Sequence, residues 1–215
     1  MGLSQSRDER RETRDLYEET VDASARGETA SAILDELMKR VGATLDDIKR
    51  VLVTLGPGSF SGLRTGVAFC QGLCFSGKRK LYGVSTLKAL ECFGIDQTKD
   101  AKCKTSDIAV VIHARTGFWY LRQTIDEKAS ESFIETEEVV NRLKATGSKA
   151  VKTVVVDEAA AADETLKALF AETGMKGVLD TGKPLSMWSP LFESESPSLI
   201  QEANYIQPSY FEKLK

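Results

Sequence analysis

The apolar run Val51-Leu52-Val53-Thr54-Leu55 breaks into Gly56-Pro57-Gly58-Ser59, and helix-spaced apolar residues follow at once. This junction constrains the fold more than any other stretch of the chain. A short run rich in β-branched residues and bounded by Gly and Pro reads as a buried strand. Pro57 fixes φ, Gly56 and Gly58 permit positive φ, and Ser59 or Ser61 can accept from the open N–H groups of a helix that starts there. That helix is expected over residues 61–75, with Leu63, Val67, Cys70 and Cys74 on one stripe and Gly62, Gly66 and Ala68 keeping its other surfaces slim. Small residues four apart let a second helix approach closely, so the slim face is a packing surface rather than a catalytic one.

The flanking segments extend the same alternation. Ala30, Ile33, Leu34, Leu37, Met38 and Val41 recur at helical spacing, and Gly42 is a stop signal. Gly83-Val84-Ser85-Thr86 opens a further helix through Leu87, Leu90 and Phe93, capped by Ser85 or Thr86. Ile108 to Ile112 and Phe118 to Leu121 read as strands of a hairpin turning at Arg115-Thr116-Gly117. Val151 to Val156 reads as another strand, leading into an Ala-rich helix over residues 157–172. The tail from Pro184 carries Pro190, Pro197 and Pro208 and reads as loop with a short docked segment. Strands alternating with helices predict an α/β fold. Residues 99–106 are the expected hinge between two halves, 1–103 and 104–215. Residues 6–19 alternate in charge, with Leu16 and Tyr17 nearly their only apolar members, and read as a solvated helix or disordered arm that holds no buried strand.

Composition excludes several functions. A formal net charge of −3 gives no sequence-wide basic footprint, so direct RNA binding by the chain alone is disfavoured. No apolar run is long enough for a membrane span and the start of the chain leads into charge, so a cytoplasmic location without membrane contact is expected. Cys70, Cys74, Cys92 and Cys103 form no CxxC pair and have only His113 as an imidazole companion, so no metal site is expected. The glycine loop resembles a phosphate cradle, yet it lacks the Walker lysine, and Pro57 removes one N–H donor. Ser59 and Ser61 do not sit in a Gly-x-Ser-x-Gly elbow, and His113 would be the base of any triad. His113 is read instead as ending a strand, Arg64 as an ion-pair or interface residue, and Asp180-Thr181-Gly182 as a plain turn rather than a second phosphate loop. No catalytic or cofactor-binding residue is assigned.

The run Gly56-Pro57-Gly58-Ser59-Phe60-Ser61-Gly62-Leu63-Arg64-Thr65-Gly66, followed by Gly83-Val84-Ser85-Thr86-Leu87, resembles the signature of the TsaB (YeaZ) family. His113-Ala114-Arg115-Thr116-Gly117-Phe118-Trp119-Tyr120 stands where that family tends to have Asp-Ala-Arg-x-Gly-Glu-Val-Tyr. The resemblance covers residues 28–125. It implies the actin and sugar-kinase (ASKHA) fold of two α/β subdomains. It also implies a non-catalytic role in making threonylcarbamoyl-adenosine in tRNAs that read codons beginning with A. The implied partners are a TsaD-type transferase, which holds the metal, and a TsaE-type ATPase. ATP and metal then belong to the partners, no cofactor to this chain, and tRNA is met only through the complex. By the same analogy Ile33, Leu37, Gly62, Leu63, Gly66, Val67 and Cys70 would form the partner interface. The family opens with an apolar strand ending in an Asp-Thr-Ser turn, whereas here the charged residues 6–19 stand, so the first strand pair is expected to be missing or rewritten. Val21-Asp22-Ala23-Ser24 mimics that turn by coincidence. The alternatives are an ATP-dependent or peptidase-like enzyme of the glycoprotease group, and a homodimeric structural paralogue.

Overall fold

The computed structural model describes residues 2–5, 15–18, 28–100, 102–145, 151–180 and 188–206. Contacts divide the chain into two compact units, the first built from residues 1–55, 59–84 and 182–203, the second from 56–58, 85–181 and 204–215. The chain thus passes between units on both sides of the glycine loop and again after Val84, while residues 99–106 lie inside the second unit.

The first unit begins with two short strands, β1 (Gly2–Gln5) and β2 (Asp15–Glu18), paired antiparallel with Gly2 opposite Glu18. Residues 15–18 are thus a strand rather than part of a solvated helix or disordered arm, and the first strand pair is rewritten rather than missing. Backbone pairing of two short strands requires no buried apolar face, which is why hydrophobic periodicity does not reveal it. These strands form a sheet of their own and do not join the others of the unit. The charged arm at residues 6–14 and the Asp-Thr-Ser mimic at 21–24 lie outside the described residues.

Helix α1 (Glu28–Val41) follows, then β3 (Arg50–Thr54), α2 (Phe60–Cys74) and β4 (Lys80–Val84). Strands β3 and β4 run parallel, with Val51 opposite Leu81 and Val53 opposite Gly83, and the Leu55 N–H extends the ladder to the Val84 carbonyl at 2.8 Å. Parallel neighbours require a crossover, and α2 supplies it. Alternate residues of β4 serve opposite faces. Leu81 enters a core with Val53, Val67 and Cys74 beneath α2, whereas Tyr82 meets Phe192 edge-on at 5.0 Å, in the late helix Trp188–Ser194. The tail docks as expected. Ser198 N–H donates to the Leu81 carbonyl at 2.9 Å, and Gln71 Nε2 donates to the Gln201 carbonyl at 3.0 Å. Arg79 ties the far end together by donating to the carbonyls of Leu45 and Leu73.

The second unit is a five-stranded mixed sheet in the order β7-β6-β5-β8-β9. Its helix α3 (Thr86–Thr98) precedes β5 (Ile108–Arg115), β6 (Phe118–Ile125), β7 (Lys128–Glu135), α4 (Thr136–Ala145), β8 (Thr153–Val156), α5 (Glu158–Ala162), α6 (Glu164–Thr173) and β9 (Lys176–Leu179). Strands β5, β6 and β7 form an antiparallel meander, and β8 and β9 add in parallel beside β5. One face buries Ala109, Val111, Trp119, Leu121, Val154 and Val156 against α4, α5 and α6. On the other face α3 approaches so closely that a Cβ on Gly94 would stand 2.7 Å from Val155 Cγ2 and 2.8 Å from Ile108 Cγ2. The Ala-rich helix expected over 157–172 is two helices. Asp163 takes an extended conformation between them and accepts from the Leu166 N–H at 3.0 Å, which starts α6 afresh.

Candidate functional site

The glycine junction has the predicted local form. Ser59 caps α2, its hydroxyl accepting from the Gly62 N–H at 3.4 Å, and Gly56 takes a positive φ of 117° that a side chain would strain. Gly56 and Pro57 are buried, and the Gly56 carbonyl accepts from the Thr86 N–H at 2.8 Å, so the loop is held by the start of α3. Ser85 caps α3, accepting from the N–H groups of Leu87 and Lys88.

Above this junction α2 turns one face inward and leaves the other open. Val67 is buried in the core beneath the helix, and the half-buried Leu73 and Cys70 pack against it. Burial pushes the Cys70 thiol up to about 11, with the neighbouring Cys74 adding to the effect, so both cysteines are small hydrophobes here rather than nucleophiles. The opposite face carries Ser61, Thr65, Ala68 and Gly72, all exposed. Two aromatic rings mark the ends of the helix. Phe60 is 59% exposed and Phe75 is 81% exposed, and Arg64 lies over the Phe60 ring with its guanidinium carbon 5.3 Å from the centroid.

The seven residues expected at a partner interface are therefore separated by the fold. Gly62 is exposed and Gly66 half-buried, and a Cβ on Gly66 would meet nothing within 4 Å. Ile33, Leu63 and Cys70 are half-buried, while Leu37 and Val67 are turned inward and buried. The apolar stripe read from helical spacing is the face of α2 that holds its own sheet. What stands open is the small-residue face, and the two exposed phenylalanines beside it were not singled out from sequence. Phe60 falls in the loop signature and Phe75 at the helix end, where an apolar residue carries no periodic signal.

A buried ionic cluster lies in the second unit. Arg122 of β6 donates to Glu91 of α3 at 3.0 Å and to Glu131 of β7 at 2.9 Å, Thr124 donates to Glu91 at 3.1 Å, and the Ser85 hydroxyl donates to Glu131. The cap of α3 and two strands are thereby joined through side chains, with Glu91 2% exposed. His113 lies within β5, two residues short of its end, and is exposed. Its backbone N–H donates to Asp157 Oδ2 at 2.8 Å, and its ring stands edge-on to Trp119 at 5.7 Å. The acid contact is thus made by the backbone and not by the imidazole, and among the described residues no carboxylate orients the ring as in a triad. Asp180 N–H donates to the Val156 carbonyl at 2.8 Å, and the Thr181-Gly182 part of the expected turn lies outside the described residues. Among the described residues no group of three or more His, Cys, Asp or Glu is placed to hold a metal ion, and no helix is long and apolar enough to cross a membrane.

This architecture, with a mixed sheet flanked by helices in the second unit and a parallel pair crossed by a helix in the first, is an α/β protein of the actin and sugar-kinase-like (ASKHA) class. A structure from Pseudomonas aeruginosa, described as an uncharacterized protein with similarity to peptidase YEAZ, superimposes with a TM-score of 0.63 at 16% identity, covering 96% of this chain and 94% of that one. YeaZ from the same organism gives 0.54 at 16% identity, with 97% and 93% covered. The family model described as TsaD, tRNA N6-adenosine threonylcarbamoyltransferase, matches residues 22–178, and the chain belongs to that family. It is of the TsaB/YeaZ type. The chain is 29% identical over 119 residues to the tRNA threonylcarbamoyladenosine biosynthesis protein TsaB of Buchnera aphidicola subsp. Schizaphis graminum, covering 52% of this chain and 54% of that protein. It is 34% identical over 118 residues to the tRNA N6-adenosine threonylcarbamoyltransferase of Maridesulfovibrio salexigens, covering 51% and 33%. The matched stretch thus spans about a third to a half of these relatives' length.

Proposed function

We propose that the chain is a non-catalytic subunit in the biosynthesis of threonylcarbamoyl-adenosine in tRNA, holding a TsaD-type transferase against the glycine flank of α2, between its exposed face and its buried stripe. The observation that carries this reading is the open space over Gly66 and the exposed Gly62 one turn before it, on a helix with Phe60 and Phe75 exposed at its two ends. A glycine in a helix interior weakens that helix, and here no neighbour among the described residues fills the room it leaves. A helix from another protein can approach there at close range. The names of the relatives supply the pathway, and the α2 surface supplies a physical means of taking part in it without a catalytic constellation. In this reading the metal and ATP belong to the transferase and to a TsaE-type ATPase, tRNA is brought to the complex, and the assembly works in the cytoplasm.

The test is co-purification and sizing of the chain with a TsaD-type homologue. A one-to-one complex at micromolar concentration is the expected result. Absence of any complex, or a homodimer that the homologue does not displace, would overturn the reading, the second outcome because the same face would then pair with itself.

A further inference from the structure

The end of the second unit's sheet where β5, β8 and β9 begin is lined with lysines. Lys176 stands level with Thr153 of β8, which stands level with Ile108 of β5. Backbone hydrogen bonds draw the row together, with Lys176 N–H donating to the Lys152 carbonyl at 2.8 Å and Lys152 N–H to the Asp107 carbonyl at 2.9 Å. Lys102 and Lys104 lie in the segment that leads into β5, and Lys99 closes α3 with a left-handed φ of 51°. All five lysines are exposed.

The carboxylates among them are turned toward the backbone. Asp107 Oδ2 accepts from the Lys104 N–H at 3.1 Å, and Asp100 Oδ1 accepts from the Lys102 N–H at 2.9 Å. Asp107, with its side chain 13% exposed, also pairs with Lys152 at 3.4 Å, and no such pair is made by the other four lysines among the described residues. The acidic turn at Asp126 and Glu127 joins β6 to β7, on the opposite side of β5 from Lys152 and Lys176. That turn lies at the same end of the sheet, so the positive excess is confined to the lysines named, which outnumber Asp100 and Asp107 among them five to two within a chain of net charge −3.

We propose that this lysine row binds the phosphate backbone of RNA, which gives the proposed subunit a direct contact with the tRNA of its complex. The choice of RNA over other polyanions rests on the functional reading above, while the anion site rests on the row itself. Lysine is depleted from the cores of protein–protein interfaces, and this row carries neither the arginine nor the aromatic anchors that dominate such interfaces. Flexible ammonium groups on a ridge of strand ends suit contacts that position a backbone without reading its sequence. Each phosphate neutralised contributes roughly 0.7–0.9 to the slope of log K against log salt.

The experiment is fluorescence anisotropy of an unmodified tRNA transcript with the full chain alone, at a series of salt concentrations starting low. Wild type is expected to bind with a steep salt dependence. Lys152→Glu with Lys176→Glu should weaken binding at least about tenfold and lower the slope by about 2. Lys102→Glu with Lys104→Glu should act alike, which guards against loss of the Lys152–Asp107 pair as the cause. Lys78→Glu with Lys80→Glu, in the first unit, should leave binding unchanged. No salt-dependent binding by wild type, or equal losses in the first-unit variant, would overturn the proposal. Weakened assembly with the transferase but unaltered RNA binding would also overturn it, by making the row a protein contact. Because the titration uses the chain alone, failure of the transferase complex leaves it standing, and its own failure leaves that complex standing.

Discussion

Replacing Gly66 with Leu separates what α2 does for its own unit from what it offers to a partner. Gly66 lies mid-helix, in α2 (Phe60–Cys74), and an added Cβ meets nothing within 4 Å. Gly is about 1 kcal/mol less favourable than Ala in a helix interior and Leu is close to Ala, so the free chain should gain roughly 0.5–1 kcal/mol. For a chain of this size that corresponds to a rise in Tm of about 1–4 °C. A partner helix seated over the glycine would meet the new side chain as overpacking, which costs about 1–3 kcal/mol and converts to a roughly 5- to 150-fold rise in Kd. Thermal unfolding by circular dichroism and titration calorimetry with the TsaD-type homologue read the two effects separately. Gly66→Ala should show the stabilisation with a smaller loss of affinity. A fall in Tm would refute the argument from open space. A rise in Tm with unchanged Kd would place the interface elsewhere on the molecule.

Other positions respond differently for stated reasons. Gly94→Ala should destabilise by about 1–3 kcal/mol in urea unfolding, because its Cβ would stand 2.7 Å from Val155 Cγ2 and 2.8 Å from Ile108 Cγ2; a neutral effect would show that α3 moves freely on its sheet. Arg122→Met leaves Glu91 and Glu131 without their cation and should cost about 3–5 kcal/mol, measured by the same unfolding, whereas a loss under 1 kcal/mol would mean that water reaches the cluster. Burial raises the Cys70 thiol from its ordinary 9.0 to about 11, so the unfolded chain gives up this proton at lower pH than the folded one. Stability from this residue is complete below pH 9 and falls as pH rises toward 11. The alkaline slope of unfolding free energy should be shallower in Cys70→Ala, and an unchanged slope would count against a buried, protonated thiol.

Periodicity and punctuation disclosed the elements that surround the glycine junction, because there a single sequence signal has a single structural cause. The run from Val51 to Leu55 falls on β3 except for its last residue; Ser59 and Ser85 are caps, and Ile108 and Phe118 open the paired strands. Two of the elements that escaped notice, β7 and β9, carry weak apolar patterns. Strand β7 reads Lys-Ala-Ser-Glu-Ser-Phe-Ile-Glu at the edge of its sheet, and β9 is four residues long with only Val178 half-buried. Edge strands are held by one neighbour and present their other side to water, so their composition resembles that of a loop. The proposed interface is legible only in outline for a related reason. Helical spacing finds an apolar stripe, and on α2 that stripe, with Val67 and Cys74, is the face already committed to β3 and β4. A surface made by the absence of side chains, as at Gly62 and Gly66, is recorded in sequence only as small residues. The lysine row was hidden because its members are scattered from Lys99 to Lys176 and gather only when β5, β8 and β9 are set side by side.

The first unit is assembled from segments that leave the ribosome far apart in time. Its strand β4 ends at Val84, yet the segment that donates from Ser198 to the Leu81 carbonyl and receives Gln71 on Gln201 belongs to residues 182–203. At roughly 5–20 residues per second, about 6–24 s of synthesis separate the two. During that interval almost all of the second unit emerges with its strands contiguous in sequence, so it completes its sheet while β4 still lacks its covering tail. The unit that the ribosome begins is therefore covered only after the sheet of the other has been made.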